Sequence, residues 1–339
     1  MKTIVSIQDI SEFDIKPNAE VNQWRGLVEE EINHRWKNRS GWIPILCPAC
    51  SQNDPIPAFE RYGVSYVECS ACGSLYAPFR PAEGELWTWY RDSKPAQFWR
   101  ETILTASDMA RLEKITRPRA DWILDGIAEY NPSASHVIDI SPHSRALLDL
   151  LAKEDTKLLQ IIAAGFTADL EGFATDRVKI QPSLTMDLPT QGPADVVIAI
   201  DSFNRASDPY ILLEALEKIL VPGGLVFATA TVASGFEIQS LWEKSPSIIP
   251  PDKLNLPTID GFKKYFTEPI WEIIELSTPG MFDVELVYRS IQAEPNELWP
   301  RVIRGLVQHA DTAGRTSLVE LLQSQHLTSF ARLVIKKKK

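Results

Sequence analysis

Two Cys-x-x-Cys pairs constrain this chain more than any other feature. Cys47-Pro-Ala-Cys50 and Cys69-Ser-Ala-Cys72 hold every cysteine of a 339-residue sequence, with eighteen residues between the pairs. A Cys-x-x-Cys turn lets two thiolates converge on one ion, and two such turns supply the tetrahedral all-sulfur set that Zn²⁺ favours. The other arrangements open to four thiols are two disulfides or a buried free-thiol cluster. With no secretory leader in view, zinc held by Cys47, Cys50, Cys69 and Cys72 is the reading adopted. A closed four-thiolate shell leaves no position for water or substrate, so this zinc is expected to be structural. Between the pairs, residues 59–68 read as a hairpin turning near Gly63, and Gly73 follows the second pair where a knuckle needs a positive φ.

The rest of the sequence has the composition of a globular protein, with 44% apolar and 24% charged residues, and no apolar run long enough to span a bilayer. The opening residues 1–16 are broken by Gln8 and Asp9 before a signal core could form, so a cytoplasmic protein is expected. A net charge of −10 repels a phosphate backbone, which makes nucleic acid a poor partner. The closing run from Lys336 to Lys339 reads as a solvated, frayed terminus. Trp87, Trp89, Tyr90, Phe98 and Trp99 crowd the stretch after the second cysteine pair. They are read chiefly as packing between the ribbon and the next domain, with lining of a substrate cleft as the alternative.

Helical and strand patterns then alternate. Residues 119–130, 144–153 and 210–220 read as helices, and 136–140, 157–163, 194–201 and 225–231 as strands. The run Ala-Asp-Val-Val-Ile-Ala-Ile-Asp at 194–201 suits a strand buried on both faces of a parallel sheet. Asp208-Pro209 is an N-cap and first-turn pair, and Pro222-Gly223-Gly224 ends the helix between them. The pattern predicts a doubly wound α/β domain over 119–339. Ahead of it come aromatic-rich connecting helices at 81–118, the ribbon at 45–80 and a helical or extended segment at 1–44.

The stretch from Asp195 through Val221-Pro-Gly-Gly-Leu-Val-Phe resembles class I S-adenosylmethionine methyltransferases, where strand four, its helix and a Pro-Gly-Gly turn lead into strand five. With the ribbon, the segment Pro-Asp-Lys-Leu-Asn-Leu-Pro-Thr at 251–258 and Ser-Thr-Pro-Gly-Met-Phe-Asp-Val at 277–284, the chain looks like bacterial methyltransferases of sugar and polysaccharide pathways that carry an N-terminal zinc ribbon. The resemblance implies a Rossmann-like methyltransferase domain, S-adenosylmethionine as cofactor and a sugar, glycan or related small metabolite as acceptor. It puts Asp139 where that family's acidic residue stands and Ser141 at one of its glycine positions. From the residues' own chemistry, Arg145 is a candidate partner for the cofactor carboxylate and Asp201, at the carboxyl end of a strand, a cofactor-facing and catalytic candidate. His143 is a candidate base if it points into the crevice, the alternative being a cap or surface residue, which a lone histidine just inside a helix more often is.

Three positions depart from that family. Its first strand is followed by alternating glycines that let the backbone approach the cofactor, whereas Ser141, His143 and Arg145 stand there and Pro142 lacks an N–H. As structure alone, Ser141 and Pro142 make an N-cap and first helical residue. Residues 159–164 end the second strand with no carboxylate for the ribose, Asp169 and Glu171 coming later. Asn204-Arg205 replaces the Glu-His pair that the resemblance places after strand four, and neither side chain is a base near neutral pH. Two functions are compatible with this pattern: a methyltransferase with an unusual cofactor loop, or a non-catalytic member of the fold serving as a binding or scaffold subunit for a partner protein.

Overall fold

The computed structural model describes residues 5, 10–142, 145–155, 157–165 and 175–338. Seven strands form its main sheet: β1 (His136–Asp139), β2 (Gln160–Ala163), β3 (Val178–Ile180), β4 (Ala194–Ile200), β5 (Leu220–Thr231), β6 (Trp271–Ser277) and β7 (Phe330–Lys337). Their spatial order is β6-β7-β5-β4-β1-β2-β3, and only β7 runs antiparallel to its neighbours. Parallel neighbours need crossover helices, which cover both faces of the sheet. In β4 the alternation is visible residue by residue: Val197 and Ala199 pack with helix Pro209–Ile219, while Val196, Ile198 and Ile200 pack with helices Arg117–Tyr130 and Arg145–Glu154. This is the doubly wound α/β architecture predicted from the pattern of apolar runs.

Details of the prediction shift for local reasons. Asp208 caps helix Pro209–Ile219 as expected, its Oδ1 accepting from the Tyr210 N–H at 2.9 Å. The helix ends at Ile219, ahead of Pro222-Gly223-Gly224, and the strand begins earlier than 225: β5 already meets Ala194 at Leu220 and resumes at Leu225, the residues between forming a bulge with Gly223 at φ +85°. Among the described residues, the Ser141 hydroxyl is engaged with β4, where it accepts the Ile200 N–H; the N2 and N3 positions of the expected cap, 143 and 144, lie outside the described residues. Of the closing lysines, Lys336 to Lys338 are not frayed, and Lys339 lies outside the described residues. Lys336 and Lys337 belong to β7, and the Lys337 ammonium donates to the Glu217 and Leu220 carbonyls at 2.6 and 2.8 Å, satisfying the end of helix Pro209–Ile219.

The cysteine ribbon is stitched into this body. Its strands Pro55–Arg61 and Val64–Cys69 turn through Tyr62 (φ 48°) and Gly63 (φ +77°), the paired left-handed residues of a tight hairpin. The ribbon sheet is completed by Leu75–Tyr76 and then by Asn255–Leu256 from the segment after β5. Arg80 rivets the junction. Fully buried, it donates to the carbonyls of Ala77 at 2.7 Å and Leu254 at 3.0 Å and to the Asn255 side-chain oxygen. The aromatics divide between the two expected roles: Trp89 stacks on Trp36 at 4.8 Å and clusters with Tyr66 and Leu75 of the ribbon, whereas Trp99, against Trp24 at 4.7 Å, and Trp87 each line a cavity.

Candidate metal centre and ligand cleft

The four cysteine sulfurs converge. Sγ of Cys47 lies 3.6 Å from that of Cys72, Sγ of Cys50 3.5 Å from that of Cys69, and all four fall within 4.8 Å of one another. A tetrahedral ion with bonds of about 2.3 Å sets its sulfurs about 3.8 Å apart, so the spacing fits, and it is far beyond a disulfide bond of about 2.05 Å. Each knuckle closes the same way. The Ser51 N–H donates to the Cys47 carbonyl at 2.9 Å and the Gly73 N–H to the Cys69 carbonyl at 2.8 Å, both residues taking positive φ. Thr258, which caps helix Ile259–Tyr265, donates its hydroxyl to the Cys72 carbonyl at 2.9 Å, tying the centre to the α/β body.

At the carboxyl ends of β1 and β4, where open α/β sheets bind ligands, the candidate residues meet unequally. Asp139 is buried and its Oδ1 accepts the Ser141 N–H at 3.0 Å, holding the chain as it leaves β1. The Ser141 hydroxyl accepts the Ile200 N–H at 2.9 Å and points toward the Ile198 carbonyl at 3.4 Å, so it bridges the gap between the two strands. From β2, the Ala164 N–H donates to the Asp139 carbonyl at 2.8 Å, and Gly165 sits so close that a Cβ there would lie 2.8 Å from the Ile140 carbonyl. The space left beside them, lined by Ile140, Pro142, Gly165 and Ser202, is about 50 Å³. Arg145 is exposed and lines neither this pocket nor the larger cleft beyond it. His143, Asp169 and Glu171 lie outside the described residues.

A second cavity of about 340 Å³ opens over the ends of β4 and β5. Asp201 lines it in the left-handed region at φ 56°, its N–H held by the Thr229 carbonyl and hydroxyl, both at 3.1 Å. Burial works to raise its carboxyl pKa, but Lys253 (3.6 Å away), Arg119 and Arg205 together hold it below the ordinary value. Arg205 reaches both cavities and forms part of the partition between them, bidentate on Asp252 (3.1 and 3.2 Å) and 5.0 Å over the Tyr90 ring. Its neighbour Asn204 is wholly buried and structural. Its oxygen accepts the Thr231 N–H at 2.7 Å and its amide donates to the Thr231 carbonyl at 2.9 Å.

No protein family and no curated protein matches this sequence. Similar solved structures include the plantazolicin methyltransferase BamL, in complex with a triazolic desmethylPZN analog and SAH (12% identity, 75% of this chain and 95% of that one, TM-score 0.46). Others are a Haloferax volcanii complex of the Trm112 methyltransferase activator with a methyltransferase (14%, 70% and 95%, 0.44) and the [4+2]-cyclase SpnF (18%, 64% and 81%, 0.40). From its own strand order, the chain has a doubly wound, Rossmann-like α/β sheet, with a four-cysteine cluster ahead of it.

Sequence reading missed most of the cleft. Arg25, Arg111 and Glu237 lie on three separate segments and have no role in that reading, Lys253 enters only within the segment 251–258, and Arg119 registers only as the start of a helix. The one signal available was the presence of Arg111 and Arg119 on a single helical stretch.

Proposed function

We propose that this chain is a non-catalytic relative of S-adenosylmethionine methyltransferases, a ligand-binding or scaffold subunit whose ribbon carries a structural zinc. The observation behind this reading is the closure at β1 and β4. Ser141 bonds across the strands where a glycine would leave room, Gly165 presses on the same loop, and about 50 Å³ remains beside them. A drug-sized or cofactor-sized ligand occupies a pocket of about 300–1,000 Å³. The second cavity is of that size, which supports binding on the acceptor side of the fold, by a glycan or another small metabolite. The four-thiolate set, with both knuckles closed by backbone hydrogen bonds, supports zinc in a role that is purely structural.

One observation favours the enzyme reading: Asp201, charged and in a strained left-handed conformation at a strand end, is the kind of residue found at catalytic sites. Calorimetric titration with S-adenosylmethionine and S-adenosylhomocysteine separates the two. The binding-subunit reading predicts no micromolar affinity for either. Micromolar binding, with methyl transfer that disappears in Asp201→Asn, would restore the enzyme.

A further inference from the structure

The cleft over β4 and β5 carries an unbalanced charge. Six basic and five acidic side chains line it, in a chain whose net charge is −10. The acids are already engaged. Glu12 pairs with Lys16 at 3.0 Å and with Arg289, Asp252 holds Arg205, and Asp201 faces Lys253. Asp283 accepts the N–H groups of Glu237 and Ser329 at 3.1 and 2.7 Å. Glu237 is fully buried, and burial pushes its pKa up to about 8, so it is largely neutral at pH 7. Among the described residues, Arg25, Arg111 and Arg119 are left without a carboxylate at ion-pair distance.

Arg111 and Arg119 form the sharper pair. Arg111 donates only to neutral acceptors, the Ser107 hydroxyl at 2.8 Å and the Ile15 carbonyl at 2.6 Å. Burial, and after it the charge of Arg119, depresses its pKa to about 10, while burial lowers that of Arg119 against the opposing charges of Asp201 and Asp139. Helix geometry brings the two to this cavity. In an unbroken α-helix, positions eight apart diverge by about 80°. A π-helical turn over Leu112–Thr116 absorbs one extra residue, so the pair behaves as i and i+7 and shares a face. Folding has thus set two cations on one cavity lining, neither with a carboxylate at ion-pair distance among the described residues, and an anion bound there would offset the cost of their burial. Apolar side chains line the same cavity, among them Trp24, Ile249, Leu286, Phe330 and Trp99, whose ring centroid lies 5.6 Å from the Arg111 guanidinium.

We infer that this cleft binds a small phosphorylated molecule with an aromatic or apolar body, its phosphate gripped by Arg111 and Arg119. Two planar guanidinium forks match the oxygens and double charge of a phosphomonoester, whereas a monocarboxylate neutralises only one of them. The inference rests on the reading of the cleft, rather than the crevice beside Ser141, as the ligand site.

Phenyl phosphate, benzoate and inorganic phosphate titrated into the full-length chain test it. Phenyl phosphate is expected to bind more tightly than either of the others, and Arg119→Gln to weaken it about tenfold to a hundredfold. Arg111→Gln repeats the test should Arg119→Gln fail to fold, and thermal melts without ligand identify which variants are folded. Failure of phenyl phosphate to bind, equal binding by benzoate, or unchanged binding by a folded variant overturns the inference. A parallel titration with S-adenosylhomocysteine keeps the two readings apart. Its binding contradicts the closed crevice whatever phosphate does, while lost phosphate binding alone contradicts only the ligand assigned here.

Discussion

Ser141 shows how one hydroxyl can decide what a fold keeps. Its Oγ accepts the buried Ile200 N–H, so Ser141→Gly leaves that donor unpaired and is expected to cost about 1–3 kcal/mol in urea unfolding. An unchanged midpoint would show that the bridge between β1 and β4 is not held by this hydroxyl. Glu237 makes a second residue-scale case, through pH. Its carboxyl is pushed up to about 8 from an ordinary 4.5, with Ser245 donating to Oε1 at 2.7 Å, so between those pH values the folded chain holds a proton that the unfolded chain has released. Stability contributed this way is fully present below about pH 4.5 and falls as pH rises toward 8, by a few kcal/mol at most. Glu237→Gln keeps the accepting oxygen and removes the titration, so its stability should be flatter than wild type over that interval. Parallel curves for the two proteins would contradict the assignment.

At the scale of elements, the ribbon and the α/β body share a sheet through Asn255–Leu256 and a buried arginine through Arg80, so neither is expected to unfold alone. Chelating the metal, or Cys69→Ser, should therefore lower the melting temperature of the whole chain in one transition, because structural zinc binding is coupled to folding. Metal analysis should find one zinc per chain. Two well-separated transitions after chelation would mean that the ribbon is an independent module. The cysteine spacing and the apolar runs made the ribbon and the strands β1, β2, β4 and β5 legible, because ligand spacing and continuous apolar runs are local properties of sequence. β6 and β7 were not individually legible: the lysines at 336–338 read as a tail, since nothing local reports that a strand slots between β5 and β6. Nor could Arg80 be recognised, because its acceptors come from Ala77 and, far along the chain, Leu254 and Asn255.

For the molecule as a whole, the account is one of redistribution. Among the described residues, Ser141 and Gly165 crowd the end of the sheet where β1, β2 and β4 meet, a space of about 630 Å³ opens beyond it by Trp87 and Ser183, and the cleft of about 340 Å³ lies over β4 and β5, behind Arg205. The cleft was illegible in sequence for the same reason as Arg80: its cations come from residues 25, 111, 119 and 253, and a π-helical turn sets the register of two of them. Closure is the central claim, and hydrogen exchange at the Ile200 amide reads it directly, because that N–H is protected by the Ser141 hydroxyl. The account predicts slow exchange that does not change when S-adenosylhomocysteine is added in excess. Fast exchange without ligand, or a change in protection when the ligand is added, would show that the crevice opens to admit a cofactor.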